Sequence, residues 1–312
     1  MAPRIALVTA VEARALDEDL PPLIEALQAL GVEVDIPCWD DPGADWSRYD
    51  AAVIRSTWDY ADRIGEFLGW TERAGARTLL FNPPTVLRWS TDKHYLRDLA
   101  GAGVPVVPTR LVEPGEVAEA ALAAFLAGGG KALSVGRACD CEEFVIKPAV
   151  GAGSRDAARY RRHEVARATT HLGRLLAGGR SAMLQPYLPR VDEEGETALV
   201  YVDGNFSHAI RKDALLRPGG AFVTGLFAPE KIAARQPAAD ELAVAAAACA
   251  AIVGGAPLYA RIDLIRDSEG LPVVLELELA EPSLFFTFAP GSARLFARAI
   301  LQRLASAATS AR

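Results

Sequence analysis

The chain has 312 residues, of which 51% are hydrophobic and 23% charged, and its formal net charge is −7. This length is enough for roughly two or three domains with their own cores, and the composition is that of a globular protein. The acidic balance and the lack of a basic stripe argue against nucleic acid as the partner. The longest apolar run, residues 242–253, is shorter than the ~20 residues of a membrane span, so no membrane contact is expected.

The first part of the chain has the rhythm of an α/β domain. The apolar residues 5–9 are too few, and too soon followed by Glu12, for a secretory signal, and they predict a strand. The four cysteines lack metal-site spacing, and a cytoplasmic location is the expectation. A parallel sheet with helices on both faces follows from the alternation of strand and helix patterns. The predicted strands are 5–9, 32–36, 51–55 and 78–81, and the predicted helices are 16–30 and 66–74.

A dense group of polar and aromatic side chains follows the third predicted strand, with the sequence Arg55-Ser56-Thr57-Trp58-Asp59-Tyr60. Ligands of parallel sheets lie beyond the carboxyl ends of the strands. We therefore interpret this segment as a loop that contacts substrate through Arg55, Thr57 and Asp59. A helix N-cap followed by packing aromatic residues explains the same sequence equally well.

Helices and strands in mixed order follow a boundary at Asn82-Pro83-Pro84. The predicted helices are 90–99, 117–126, 164–176, 240–252 and 293–304. The predicted strands are 144–147, 183–185, 196–202 and 206–211. The last two strands are expected to form a hairpin around Asp203-Gly204, which is a strong turn signal.

A second hairpin, within residues 258–279, gathers acidic side chains on its two strands. Because side chains alternate along a strand, Arg261 and Asp263 share a face, and so do Glu276 and Glu278. Three facing carboxylates repel each other unless a cation lies between them, and a hard divalent cation that bridges to phosphates is the natural occupant. A solvated hairpin with charged outer positions is the alternative. The opposite, apolar face of the second strand is predicted to hold Val273, Leu275, Leu277 and Leu279.

A glycine-rich loop, Gly151-Ala152-Gly153-Ser154-Arg155, follows the predicted strand 144–147. Gly151 and Gly153 can adopt backbone angles that turn successive N–H groups toward an anion, and Lys147 can reach the same phosphates. The loop lacks the Gly-Lys-Ser/Thr sequence of a Walker A motif, and a glycine-rich hairpin without a ligand is the alternative. Its co-occurrence with the acidic hairpin favours phosphate, because Mg²⁺ and phosphates require each other.

Lysine is rare in this chain, which has five lysines among its 33 basic residues. A lysine in such an arginine-rich chain indicates a position where a compact charge on a flexible stem is needed. Chance explains the distribution of only five lysines equally well. The five are Lys93, Lys131, Lys147, Lys212 and Lys231.

Together these segments resemble the ATP-grasp superfamily over nearly the whole chain. The resemblance rests on Lys93 at a helix start, Phe144-Val145-Ile146-Lys147-Pro148 with its glycine loop, Gln185-Pro186-Tyr187-Leu188, and the strands that carry Asp263 and Glu276-x-Glu278. It implies an α/β (α+β) fold in which two α+β lobes clamp ATP. The implied parts are a small parallel-sheet N-terminal domain (1–88), a central lobe with the phosphate loop (89–182) and a C-terminal lobe with the metal site (183–312).

The resemblance also implies roles for individual residues. ATP would be held by Lys93, Lys147, Gly151, Ala152, Gly153, Ser154, Gln185, Pro186, Tyr187, Leu188 and Asp192, the last through the ribose hydroxyls. Mg²⁺, expected as two ions, would be held by Asp263, Glu276 and Glu278. The transferred phosphoryl group would face Arg261, Arg211 and Lys212. Glu278 departs from the family pattern, which usually has Asn at this position.

Several strings are most similar to the D-cycloserine-forming cyclo-ligases of antibiotic biosynthesis, among them Ser90-Thr91-Asp92-Lys93 and Glu281-Pro282-Ser283-Leu284. The similarity implies an ADP-forming carbon–nitrogen ligase that activates a carboxylate as an acyl phosphate and closes O-ureido-D-serine to D-cycloserine. Alternatives are an intermolecular carboxylate–amine ligase, a regulatory nucleotide-binding module and a hydroxyl kinase; monomer and oligomer both fit. The amino-acid-like substrate would contact Arg55, Thr57, Asp59, Ser154 and Arg155.

Overall fold

The structure is a computed structural model that describes residues 2–128, 141–217 and 231–310, so Lys131 lies outside it. Its N-terminal part is a four-stranded, wholly parallel sheet in the order β2-β1-β3-β4, as predicted. The strands are β1 (Arg4–Thr9), β2 (Glu33–Asp35), β3 (Ala51–Ser56) and β4 (Leu79–Phe81), and the helices are α1 (Leu20–Gln28) and α2 (Ile64–Gly75).

The period-two pattern of β1 explains why this sheet has a core on each face. Ile5 and Leu7 pack in the cluster that contains α1, whereas Ala6 and Val8 pack in the cluster that contains α2. The first cluster also includes Phe296 of the C-terminal helix. The N-terminal sheet therefore buries apolar surface supplied by the far end of the chain.

The predicted helix 90–99 is wrong, because the structure has two short helices, α3 (Pro84–Ser90) and α4 (Tyr95–Gly101), with a turn between them. In the turn, the side chain of Asp92 accepts a hydrogen bond from the backbone N–H two residues later (3.1 Å). Such local bonds compete with helical ones. The Lys93 backbone N–H donates to the carbonyl of residue 149 (3.0 Å), which places Lys93 beside the glycine-rich loop.

The second sheet is antiparallel, in the order β5-β8-β6-β7, and packs against two helices. Its strands are β5 (Arg110–Val112), β6 (Glu143–Pro148), β7 (Ala158–Arg161) and β8 (Ala182–Pro186), and the helices are α5 (Ala118–Leu126) and α6 (Val165–Ala177). The short strands β5 and β7 were not predicted. The predicted boundary between residues 182 and 183 falls inside β8, which pairs within this second sheet.

The third sheet is antiparallel, in the order β11-β10-β9-β12-β13, and it contains both predicted hairpins. Asp203 and Gly204, which form the turn between β9 and β10, both have positive φ, as this turn type requires. The strands are β9 (Glu196–Val202), β10 (Asn205–Lys212), β11 (Ile232–Arg235), β12 (Tyr259–Arg266) and β13 (Pro272–Glu278), and the helices are α7 (Val191–Glu194), α8 (Ala239–Ala250) and α9 (Ser292–Ser310).

The four apolar residues predicted to share one face of the acidic hairpin do not all do so, because β13 contains a bulge. Asp263 pairs with Glu276, but the next residue of β12 pairs with Val274, so Leu275 is the extra residue. A bulge shifts the alternation of side chains by one position. As a result, Val273 and Leu275 belong to a different cluster from Leu277 and Leu279, which pack with Val274. In the described ranges no helix is long and apolar enough to cross a membrane.

Candidate active site

A cavity of about 740 Å³ lies where the three sheets meet. Most of the residues predicted to bind nucleotide, metal and the transferred phosphoryl group line it. They are Lys93, Lys147, Gly151, Ala152, Gly153, Ser154, Gln185, Pro186, Tyr187, Leu188, Lys212, Arg261, Asp263, Glu276 and Glu278. The cavity volume is in the range of small-molecule sites.

The glycine-rich loop and the acidic hairpin meet directly at Lys147. Its Nζ donates to Oε1 of Glu276 at 2.7 Å, across 129 residues of sequence. Lys93 lies on the other side, with its Nζ 4.0 Å from Oε2 of Glu276 and 2.8 Å from the carbonyl oxygen of Gly151. Burial acts to raise the pKa of Glu276, but Lys147 and Lys93 outweigh it and lower the pKa to about 2. Glu276 is therefore ionised at neutral pH.

Asp263 is the centre of a second buried ion cluster on the same wall. Its carboxylate accepts two hydrogen bonds from Arg261 (2.8 and 2.9 Å) and one from Lys212 (2.9 Å). Arg261 also donates to Glu278 (2.5 Å), and Lys212 forms an ion pair with Glu196. Burial acts to raise the pKa of Asp263, but Arg261 and Lys212 hold it well below the usual range. Burial raises the pKa of Glu278.

The chemistry of these side chains fits Mg²⁺ as a partner of bound phosphates. Asp263, Glu276 and Glu278 supply the carboxylate oxygens that this hard cation prefers. Within the described residues, no three His, Cys, Asp or Glu side chains converge closely enough to hold a metal ion by themselves. All three carboxylates instead form ion pairs with lysine or arginine side chains of the same cavity. Mg²⁺ usually takes one or two protein carboxylates and completes its shell with water and phosphate oxygens, which matches this arrangement.

Part of the cavity wall is apolar, as a site for an aromatic ring system requires. This part includes Tyr187, whose phenol ring is covered by the guanidinium of Arg159 at 3.4 Å from the ring centroid. The Tyr187 hydroxyl donates to Asp192 (2.5 Å), and Arg159 binds the same carboxylate (3.2 Å). Asp192 is not among the residues that line the cavity, and its contact with ribose stays a prediction. The apolar wall residues are Val107, Val145, Leu188, Ile265 and Leu275.

Arg211 does not lie on the cavity wall, which corrects its predicted place beside Arg261. Successive side chains of a strand point to opposite faces, and Lys212 faces the cavity. Arg211 instead donates to the carbonyl oxygens of Glu194 (2.7 Å) and Glu193 (2.9 Å), at the end of α7. The predicted strand 206–211 ended before Lys212, whereas β10 includes it, so in the structure only Lys212 of the two faces the cavity.

The three predicted substrate contacts after β3 do not line the cavity either. Arg55 and Thr57 are buried, with exposures of 1% and 0%. Asp59 accepts a hydrogen bond from the indole N–H of Trp39 (2.9 Å) and packs inside the N-terminal domain. Arg155 does line the cavity, but its guanidinium binds Asp62 (2.6 Å) and thereby links the glycine-rich loop to this domain. The aromatic-packing alternative therefore describes residues 55–59 better.

Arg55 and its neighbours hold the segment Glu281–Phe286, which forms a wall of the cavity. Arg55 donates to the carbonyl oxygen of Pro282 (3.0 Å), and Trp58 donates to that of Glu281 (3.1 Å). Asp19 accepts hydrogen bonds from the backbone N–H groups of residues 284, 285 and 286 (2.5, 3.2 and 2.9 Å). The N-terminal domain therefore fixes a cavity wall that the C-terminal lobe supplies.

Of the acidic residues that line the cavity without having been predicted, Asp17 and Glu281 are both buried and form no ion pair within the described residues. Asp17 lies in the turn after β1, is 5% exposed, and its Oδ2 has no hydrogen-bond partner within the described residues. Burial raises its pKa, although Arg55 opposes this. The rule that identified the loop after β3 applies equally to the loop after β1, and it could have identified Asp17. Glu281 lies three residues after the end of β13, and only its proximity to Glu278 pointed to it.

Comparison with known proteins relates this geometry to a family. Residues 5–82 match the family described as D-cycloserine synthetase DcsG, N-terminal domain. The chain is 44% identical over 305 residues to the cycloserine biosynthesis protein DcsG of Streptomyces lavendulae, which covers 96% of this chain and 98% of that protein. The crystal structure of D-cycloserine synthetase DcsG is similar with a TM-score of 0.89 and 43% identity, over 96% of this chain and 99% of that chain.

More distant structures share the fold. The ATP-grasp ligase PsnB, complexed with a variant of its minimal precursor, Mg and ADP, has a TM-score of 0.61 at 17% identity, over 97% of this chain and 99% of its own. The D-alanine–D-alanine ligase from Bacillus anthracis complexed with ATP has a TM-score of 0.67 at 13% identity, over the full length of both chains. The expected ATP-grasp fold is confirmed. The chain belongs to the D-cycloserine synthetase DcsG family of ATP-grasp ligases.

Proposed function

We propose that this enzyme uses ATP and two Mg²⁺ ions to close O-ureido-D-serine to D-cycloserine in the cytoplasm. The observation that carries the proposal is the contact of Lys147 with Glu276, which joins the glycine-rich loop to the acidic hairpin inside one cavity. The 44% identity to DcsG of Streptomyces lavendulae supports the choice of substrate. We also propose that the two lobes that follow the N-terminal domain (1–88) clamp the nucleotide between them, with β8 belonging to the central lobe.

The proposed conversion of O-ureido-D-serine to D-cycloserine has three steps. An oxygen of the substrate carboxylate attacks the γ-phosphorus of ATP, the bond to the β–γ bridging oxygen breaks, and ADP leaves with that electron pair. The nitrogen attached to the substrate's side-chain oxygen then attacks the acyl carbon, and phosphate leaves. Water finally removes the carbamoyl group from this nitrogen as carbon dioxide and ammonia.

The cationic residues of the cavity act on the phosphates in this proposal. Lys93 and Lys147 release Glu276 and bind phosphate oxygens as the nucleotide enters. Arg261 and Lys212 face the carbon and phosphorus centres, where negative charge develops in both transition states. Mg²⁺, when bound, supplies further neutralisation of the phosphate charge. The apolar part of the wall beside Tyr187 receives the adenine ring.

Asp17 is the residue that we expect to bind the substrate ammonium. Asp17 lines the cavity, and its Oδ2 is buried without a hydrogen-bond partner among the described residues. We expect Asp17→Asn to raise the KM for O-ureido-D-serine by roughly 10-fold or more with a smaller change in kcat, because a hydrogen bond to a charged group contributes about 1.5–3 kcal/mol. Steady-state ADP release against substrate concentration measures both constants. Glu12→Gln, an exposed position in the same turn, is the matched control; equal KM values in all three proteins would remove this role.

The function itself is tested by supplying ATP, Mg²⁺ and O-ureido-D-serine without a second amine. Formation of D-cycloserine with one ADP per ring is the expected result. If ADP appears only when a separate amine is added, the enzyme is an intermolecular carboxylate–amine ligase. If a stable phosphorylated substrate accumulates, the enzyme is a kinase.

A further inference from the structure

Ring closure requires a proton acceptor, because the attacking nitrogen of the proposed substrate carries a hydrogen that the carbamoylated ring, formed before the carbamoyl group is lost, does not. None of the four histidines, all within the described ranges, lines the cavity. We therefore expect the acceptor among the carboxylates of the cavity wall, because burial raises the pKa of Tyr60, Tyr95 and Tyr187 and keeps these hydroxyls protonated.

Most carboxylates of the cavity wall already form ion pairs with lysine or arginine, or accept hydrogen bonds from backbone N–H groups. Asp263, Glu276 and Glu278 each bind Lys or Arg side chains. Glu196 binds Lys212. Asp19 binds three backbone N–H groups and faces Arg55 at 3.6 Å. A carboxylate held by a cation or by several donors is a weak base.

Glu281 differs from these carboxylates in its surroundings. It is 7% exposed, lines the cavity, and forms no ion pair with any described residue within 4.0 Å. Tyr60 is buried and also lines the cavity, and the charge of Glu281 adds to burial in raising the pKa of Tyr60 well above its usual range, so the two side chains lie near each other. Burial, reinforced by the negative charge of Glu278, raises the pKa of Glu281 to about 8. A base with a pKa near the working pH is efficient in proton transfer.

The backbone around Glu281 is fixed, which gives its side chain a defined position. Trp58 holds its carbonyl oxygen (3.1 Å), and Arg55 holds the next one (3.0 Å). Trp58 is itself contacted by the glycine-rich loop, since Arg155 donates to the Trp58 carbonyl oxygen (3.1 Å). The same contacts that connect the phosphate loop to the N-terminal domain therefore position this carboxyl group.

We propose that Glu281 accepts the proton of the attacking nitrogen during ring closure and that Tyr60 orients the Glu281 carboxylate. This inference rests on the proposed function. The N–H bond breaks as the bond from nitrogen to the acyl carbon forms, the electron pair of the carbon–oxygen bond leaves with phosphate, and the proton is transferred to a Glu281 oxygen. Acyl phosphate formation needs no such acceptor. A variant that lacks the Glu281 carboxylate should therefore slow ring closure but not acyl phosphate formation.

The test measures both half-reactions in Glu281→Gln. Hydroxylamine traps the acyl phosphate as a hydroxamate and reports the first step, while D-cycloserine reports the second. We expect hydroxamate formation to stay within about 3-fold of the parent enzyme and ring formation to fall roughly 10² to 10³-fold, as for loss of a general base. Glu281→Asp, which keeps a carboxylate, should recover part of the ring formation. Tyr60→Phe should lower ring formation about 10-fold with the first step unchanged.

Two results would overturn the assignment. Ring formation in Glu281→Gln within 3-fold of the parent excludes Glu281 as the acceptor. A parallel loss of hydroxamate and ring product in Glu281→Gln and Tyr60→Phe assigns both residues a structural role instead. If Glu281→Gln does not fold, the ratio of D-cycloserine to hydroxamate formed by Tyr60→Phe tests the proposal. A lower ratio than in the parent enzyme supports it, and an unchanged ratio contradicts it. Failure of the proposed function looks different, because the parent enzyme itself would then form no ring from O-ureido-D-serine.

Discussion

Replacing Lys147 with alanine is expected to lower kcat/KM for ATP by roughly 10² to 10³-fold, the usual effect of removing one preorganised donor from a site of developing charge. The substitution also deprives Glu276 of its nearest cation, which lies at 2.7 Å. Lys93, at 4.0 Å, remains, so part of the binding of phosphate should persist. Initial rates of ADP release over a range of ATP concentrations measure the effect.

The control for this prediction removes a cation of the surface. Arg88 is 57% exposed and pairs with Glu72, so Arg88→Ala should leave kcat/KM for ATP nearly unchanged. If Lys147→Ala retains more than about a third of the parent kcat/KM, Lys147 does not contact the phosphates. The proposed function would then lose the contact that carries it.

Replacing Asp19 with alanine is expected to give the largest loss of stability, about 3–5 kcal/mol in the free energy of unfolding. Arg55, which is 1% exposed, would lose its only ion-pair partner within the described residues. Three backbone N–H groups of the segment Glu281–Phe286 would also lose their acceptor. Leaving a charge and several donors buried without partners is costly because water cannot replace them. Chemical unfolding followed by tryptophan fluorescence measures the change.

An exposed pair provides the comparison for Asp19. Asp35 binds Arg4 at 2.7 Å, but both side chains are about a third exposed (37% and 31%). Asp35→Ala should therefore cost less than ~1 kcal/mol. Equal losses in the two variants would show that the buried pair does not stabilise the fold more than a surface pair does.

Local patterns in the sequence predicted the elements of the fold well. The alternation of Ile5, Ala6, Leu7 and Val8 fills both faces of a central parallel strand, and the turn signal at Asp203-Gly204 is independent of the rest of the chain. Short strands such as β5 and β7 were missed, because three or four residues carry too little periodicity to be recognised. The helix 90–99 failed at Asp92, whose side chain competes locally with helical bonds.

The candidate site was predictable where chemistry and spacing coincide, and unpredictable where distant segments meet. Lys147 and Glu276 were paired correctly because phosphates and acidic metal ligands need each other. Arg55 was predicted to contact substrate, but it is buried and donates to the carbonyl oxygen of Pro282 instead. This partner lies 227 residues away, and no local sequence pattern predicts such a contact. The bulge at Leu275 was equally hidden, because an extra residue in a strand leaves the apolar composition unchanged.

The bonds from Asp19 to the segment Glu281–Phe286 have a consequence for synthesis on the ribosome. Asp19 and Leu284 are 265 residues apart in the sequence. At a translation rate of about 5–20 residues per second, the backbone donors are synthesised on the order of tens of seconds after the Asp19 acceptor. The nascent N-terminal domain must spend that time with Asp19 and Arg55 hydrated. Its final buried arrangement is therefore a late event, completed only after nearly the entire polypeptide has been translated.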